Sequence, residues 1–227
     1  MFIPLHDDTP LRVIRFQFVT MAIILLNVGI FLLWGAFKSD AVQATIASTF
    51  GVIPVELFDH AGALNHLGEP FTLVTYLFIH AGWMHLIGNM LFLWVFADNV
   101  EDAFGYAGFA VFYLLCGILA GLIFAFMSPA SANPLIGASG AVSGVLASYL
   151  VLYPRARVWI LIFLRIPVPL PAIWVLGGWF LLQVFSLAAA GPDEEVGWWA
   201  HIGGFVVGLI ITIALRNRLQ FTPNSRY

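Results

Sequence analysis

Residues 128–154 read SPASANPLIGASGAVSGVLASYLVLYP, and no charged residue occurs between Ala103 and Pro154. Two prolines in SPASANP end helical structure, and the helical pattern resumes near Ser139 and runs to Tyr153, before Pro154. A helix of about 15 residues, rising ~1.5 Å per residue, is too short to cross a full bilayer. Either the bilayer thins here, or the helix starts below the membrane surface and the loop before it dips inward. Non-helical backbone at that depth is tolerated only where protein buries it or water reaches it. A short helix that opens on a serine hydroxyl therefore implies a wet cavity inside the membrane.

Composition supports a membrane setting. The 227 residues are 61% hydrophobic and only 9% charged, against roughly 25% charged in a soluble domain. Eight Trp, 21 Phe and 21 Gly fit helical spans with interfacial aromatics. A net charge of −3 and the lack of a basic cluster argue against a nucleic-acid partner. Cys116 stands alone, which excludes a disulfide within the chain and reads as an inert buried thiol. The opening MFIPLHDDTPLRVIRF lacks the pattern of a cleaved signal, so the first apolar segment is expected to remain as a span.

The expected architecture is an all-α membrane protein with six transmembrane helices. Residues 1–16 form an N-terminal segment, 17–215 the helical domain and 216–227 a tail. The spans are Gln17–Phe37, about Trp83–Ala97, Tyr106–Met127, the short fourth from Ser139, Ala172–Ala190 and Trp198–Leu215. Between the first two, AVQATIASTF and VIPVELF read as short interfacial helices, and Asp98–Asp102 reads as an acidic turn. Arg155–Pro171 is a basic connector whose VWILIFL run is a hairpin strand or an interfacial piece. Eight of the nine basic residues then fall on one side, leaving only Lys38 opposite. By the positive-inside rule both termini are expected in the cytoplasm, with the chain in a bacterial inner (plasma) membrane.

Ionisable groups within spans are costly and default to functional hypotheses. Here they are His80, His85 and His201, with Asn89 as a large neutral polar group. Asn27 and Gln183 read as interhelical glue, and Ser143, Ser148 and Thr212 as bonded to their own helices. His6, His60 and His66 lie in exposed segments. His85 and Asn89 are four apart and share a helix face. They lie, with Ser139 and His201, at the same end of the second, fourth and sixth spans. Acyl transfer fits this set. Ser139 would be the nucleophile and His201 the base that takes its proton. Asn89, the His85 ring and the Ser139 backbone N–H would bind the oxyanion. With no Asp or Glu at that level, this is a dyad. Gly140/Gly144, Gly204/Gly208 and Gly117/Gly121 are pairs one turn apart that permit close helix approach.

Three motifs in this order resemble the rhomboid family of intramembrane serine proteases: HAGWMHLIGN (80–89), GASG (137–140) and AHIGGFVVG (200–208). The resemblance spans about residues 15–215. It implies a compact six-helix bundle with a short central fourth helix. It assigns Ser139 as nucleophile, His201 as base, and His85 and Asn89 as oxyanion donors. It also implies a serine endopeptidase that cleaves membrane-anchored substrates near the outer ends of their helices. No cofactor or metal is expected; the expected partners are transmembrane substrates and the lipid bilayer, and the sequence carries no oligomerisation signal. Two departures stand out. Ser143 occupies the place where many members have a tyrosine stacked on the base, and a Trp-Arg pair of the first loop is missing from residues 38–70.

The alternatives differ in class. A zinc protease would need HExxH, and no histidine here precedes a glutamate; an aspartyl protease would need two aspartates within spans. A transport protein would use His80, His85 and His201 along a polar pathway, with Ser139 dispensable. A non-catalytic relative that binds client helices is opposed by the presence of both Ser139 and His201. The acidic segment 191–197 is expected to act as a movable cap over the site.

Overall fold

A computed structural model describes residues 3–58, 69–162, 165–191 and 197–220. The chain is mostly helical. It opens with strand β1 (Ile3–Asp7) and helix α1 (Phe18–Trp34). Two short helices, α2 (Asp40–Phe50) and α3 (Pro54–Phe58), follow where short helices were expected. Helix α4 (Glu69–Thr75) and a 3-10 turn (Tyr76–Phe78) lead into α5 (Trp83–Phe104) at a bend of 89°. Next come α6 (Tyr106–Met127) and α7 (Ser139–Leu152), then strands β2 (Arg157–Ile162) and β3 (Ile166–Pro171). Helices α8 (Ala172–Ala189) and α9 (Trp198–Leu215) complete the bundle. Three helices, α6, α8 and α9 with its 3-10 extension, are long and apolar enough to cross a membrane, and the bent α4–α5 pair makes a fourth if it is one span. α1 and α7 are apolar but shorter.

The all-α expectation is corrected by a three-stranded antiparallel sheet in the order β1-β2-β3. β2 and β3 form the hairpin, pairing Arg157 with Pro171 through Ile162 with Ile166. Pro167, Pro169 and Pro171 alternate with Ile166, Val168 and Leu170 along β3. That period of two turns every missing N–H to the free edge, where a sheet tolerates proline and gains protection from further pairing. β1 joins from more than 150 residues away, pairing Ile3 with Leu161.

The expected acidic turn at Asp98–Asp102 is also corrected, because α5 continues through it to Phe104. Glu101 and Asp102 are fully buried, and both act as caps for another segment. Glu101 accepts hydrogen bonds from the backbone N–H of Val19 and Thr20 (2.9 and 2.7 Å) and from Thr20 Oγ1 (2.6 Å). The first N–H groups of a helix have no partner of their own and carry the positive end of its dipole. A carboxylate from α5 therefore replaces the cap that Gln17 does not provide. Asp102 likewise accepts from the N–H groups of Arg12, Val13 and Ile14 at 2.7–2.8 Å. Gln220 N–H donates to the Ala103 carbonyl at 3.0 Å, so the segments around Arg12–Ile14 and Gln220 both dock at this end of α5.

α7 sits at the centre. Eleven of its 14 residues are buried, and a helix apolar on every side is one that is packed on every side. Its most extensive contact is with α9. There the expected glycine faces meet. A methyl added at Gly204 would overlap the Gly140 carbonyl oxygen, and one at Gly208 the Gly144 carbonyl. On the other side Gly140 faces Ala120, and Gly117 faces Leu77. With lipid as solvent there is little hydrophobic drive to associate, so close backbone approach supplies the packing energy.

Candidate active site

Ser139 is the first residue of α7, as its sequence position suggested. The loop before it is held by protein throughout its final turn. Val52 and Leu135 exchange backbone hydrogen bonds (3.0 and 2.8 Å), and Gly137 N–H donates to the Tyr76 carbonyl at 2.8 Å. Gly137 has φ +112°, a backbone state open to glycine and strained for other residues. A Cβ there would also run into the His85 imidazole. The first glycine of GASG thus shapes the turn and admits the His85 ring beside the serine.

His201 lies in the first turn of α9, and its Nε2 is 2.8 Å from Ser139 Oγ. Both residues open onto a cavity of about 870 Å³ that His85, Ser128, Ser131 and Asn133 also line. It lies between the end of α6, the loop before α7 and the facing ends of α8 and α9. The structure thus brings together Ser139, His201 and His85. Asn89 lies one turn deeper on α5, buried, with its amide donating to the His85 carbonyl at 3.1 Å. It is absent from the cavity wall. His80 packs edge-on to His85 with ring centroids 5.0 Å apart, and both its ring nitrogens are buried.

One site residue was assigned a different role from sequence. Gln183 of α8, read as interhelical glue, is 2.9 Å from His201 Nδ1 through its Oε1. Its signal is visible in retrospect: α8 turns Trp174, Leu181, Leu182 and Phe185 outward, while Gln183 is among its few buried residues. Ser143, in the place of the stacking tyrosine, donates to the Ser139 carbonyl at 2.6 Å and leaves the imidazole alone. Aromatic packing on the base comes instead from Trp179 (centroids 6.2 Å) and Trp198 (5.8 Å, edge-on).

Among the described residues no group of three His, Cys, Asp or Glu could hold a metal ion. The expected cap falls largely on residues 192–196, and His60 and His66 on 59–68, both outside the described residues.

Comparison with known proteins agrees with these motifs. The Rhomboid domain family matches residues 67–218. RHOMBOID-like protein 12, mitochondrial, of Arabidopsis thaliana is 27% identical over 221 residues, covering 89% of this chain and 60% of that one. Rhomboid protein 1, mitochondrial, of Saccharomyces cerevisiae is 31% identical over 156 residues, 64% of this chain and 42% of the other. Rhomboid-like protein 11, chloroplastic, of Arabidopsis thaliana is 30% identical over 152 residues, 62% and 51% respectively. The chain spans about half the length of these curated relatives. The expected bacterial inner (plasma) membrane, with its cytoplasmic termini, is corrected by them: these relatives are named as mitochondrial or chloroplastic proteins.

Proposed function

The chain belongs to the rhomboid family, and from that premise we propose that it is an intramembrane serine protease that hydrolyses peptide bonds in or near transmembrane helices of membrane-anchored substrates. The observation that carries this reading is the 2.8 Å approach of His201 Nε2 to Ser139 Oγ at a partly polar cavity. On this reading residues 17–215 form the protease domain, with six spans in α1, α5, α6, α7, α8 and α9. α7 is the short central fourth; at ~1.5 Å per residue it starts below the surface, which sets Ser139 at depth.

His201 takes the serine proton as Oγ attacks the scissile carbonyl carbon. The C–N bond then breaks, and the leaving amine takes that proton from Nε2, leaving an ester on Ser139. Water, deprotonated by the same imidazole, hydrolyses the ester. The oxyanion needs donors that are already aimed before the reaction. The N–H of Ser139 at the start of α7 and the His85 ring serve that role, while Asn89, expected as a further donor, lies off the cavity wall and acts through the His85 turn that its amide holds. The family's non-catalytic alternative, a binder of client helices, gives no reason for the serine and imidazole to be paired.

The test uses the full chain in detergent or bicelles with a single-span reporter substrate. Ser139→Ala and His201→Ala should each lower kcat by at least ~10⁴-fold while the melting transition remains. A fluorophosphonate should label Ser139 alone, and chelators should change nothing. Undiminished cleavage by Ser139→Ala would refute the proposal.

A further inference from the structure

We propose that Gln183 is a positioning residue that selects the reactive tautomer of His201 and steadies the imidazolium, so that the dyad works as a Ser139–His201–Gln183 relay; the inference rests on the protease reading above. The Gln183 amide is oriented by its own helix, since Nε2 donates to the Trp179 carbonyl at 3.3 Å. That leaves Oε1 facing His201 Nδ1 at 2.9 Å. An amide oxygen only accepts, so Nδ1 must carry the proton and donate. In a neutral imidazole the proton on Nδ1 leaves Nε2 with its lone pair. Nε2 is the atom 2.8 Å from Ser139 Oγ. The relay therefore holds the base in the one tautomer that can accept the serine proton.

Gln183 is only 5% exposed, so water competes poorly for this bond and its geometry is fixed by packing. Trp179, one turn earlier on α8, contributes twice. Its carbonyl orients the amide, and its ring lies against His201 and Phe205. When the proton moves from Ser139 to Nε2, the imidazole becomes cationic and its Nδ1–H bond to Oε1 strengthens. No other atom or proton need move. A neutral amide does this without placing a permanent charge at membrane depth, where a carboxylate would be costly.

The experiment compares wild-type protein, Gln183→Met and Gln183→Glu in bicelles. Each is assayed for kcat, KM, the rate of fluorophosphonate labelling at Ser139, and melting. Gln183→Met keeps the side-chain length and removes the acceptor. It should lower kcat and the labelling rate roughly 10- to 100-fold, the size expected on losing a hydrogen bond to a group that becomes charged, with KM within about twofold. Gln183→Glu keeps the acceptor. It should recover most of kcat at alkaline pH and move the acid limb of the kcat/KM profile to higher pH, because a carboxylate favours the imidazolium. A side chain at 183 that did not face His201 Nδ1 would leave that limb in place. An unchanged labelling rate in Gln183→Met, or a loss confined to KM, overturns the role of Gln183 while leaving the serine mechanism standing. Failure of the wild type to label at Ser139 overturns both. If Gln183→Met does not fold, the acid limb of Gln183→Glu decides, and a wild-type position refutes the inference.

Discussion

Gly204→Ala tests whether packing and catalysis depend on one contact. Gly204 of α9 faces the Gly140 carbonyl of α7, and the new methyl would occupy space that the oxygen already fills. No flexible side chain can yield there, because the obstacle is backbone. The helices must separate by about 1 Å, and overpacking of this kind costs ~1–3 kcal/mol. Gly140 adjoins Ser139, and Gly204 is three residues from His201, so the separation acts directly on the pair. Their 2.8 Å hydrogen bond would lengthen beyond the useful range, and a displacement of ~1 Å lowers turnover by about 10²-fold. The control is Gly178→Ala on α8, where a new Cβ meets nothing within 4 Å. There helix propensity makes the same change neutral or slightly stabilising. Thermal unfolding in detergent, kcat on the reporter substrate and fluorophosphonate labelling together read the effect. Wild-type melting and labelling in Gly204→Ala would show that the α7–α9 contact does not set the site, and the reasoning would fail.

Glu101→Gln should lower stability by about 2 kcal/mol or more, since a buried carboxylate then stops capping α1 with three charge-assisted bonds. Equilibrium unfolding in mixed micelles measures it, and an unchanged midpoint would remove the cap from the account. Asn89→Ala should lower kcat by no more than ~10²–10³-fold, the worth of one oxyanion donor, because it acts only through the His85 turn that its amide holds. A loss as complete as that of Ser139→Ala, with the fold retained, would contradict the assignment. Asp7 in β1 has its carboxyl raised above its ordinary value by burial, partly offset by the Tyr149 hydroxyl that donates to it. A raised folded value means that the native state holds the proton more tightly. The contribution is full below the usual carboxylate range and is lost as pH rises through the raised value. Melting curves from acid to neutral pH should therefore fall more steeply for wild type than for Asp7→Asn, and parallel curves would refute the coupling.

Much of the helical framework was legible because each segment carries its own evidence. α6 and α9 begin and end at the expected residues, and α7 and α8 end one residue earlier. Apolar length, a proline break or a glycine is a local signal, and membrane helices satisfy their backbone locally. The misreadings share one cause. Asp98–Asp102 looked like a turn because buried acids are implausible without partners, and the partners lie more than 80 residues away. The VWILIFL run was read as a hairpin strand or an interfacial piece, but the full sheet escaped because a proline-rich strand and an N-terminal strand show no pairing until they meet. Gln183 was read as neutral glue because an amide's role depends on what its oxygen faces.

From its sequence alone this chain is a polytopic helical membrane protein with Ser139, His85 and His201 at one end of its helices, because lipid penalises polar groups strongly enough to make each exception informative. The folded bundle decided which atoms touch. His201 Nε2 reaches Ser139 Oγ across 62 residues of chain, Nδ1 reaches Gln183 across 18, and buried carboxylates of α5 hold the N-terminal segment. Hydrogen bonds depend on ångström-scale distance and direction. Only the close approach of α7 to α9, permitted by Gly140 and Gly204, brings the serine and the imidazole within that range.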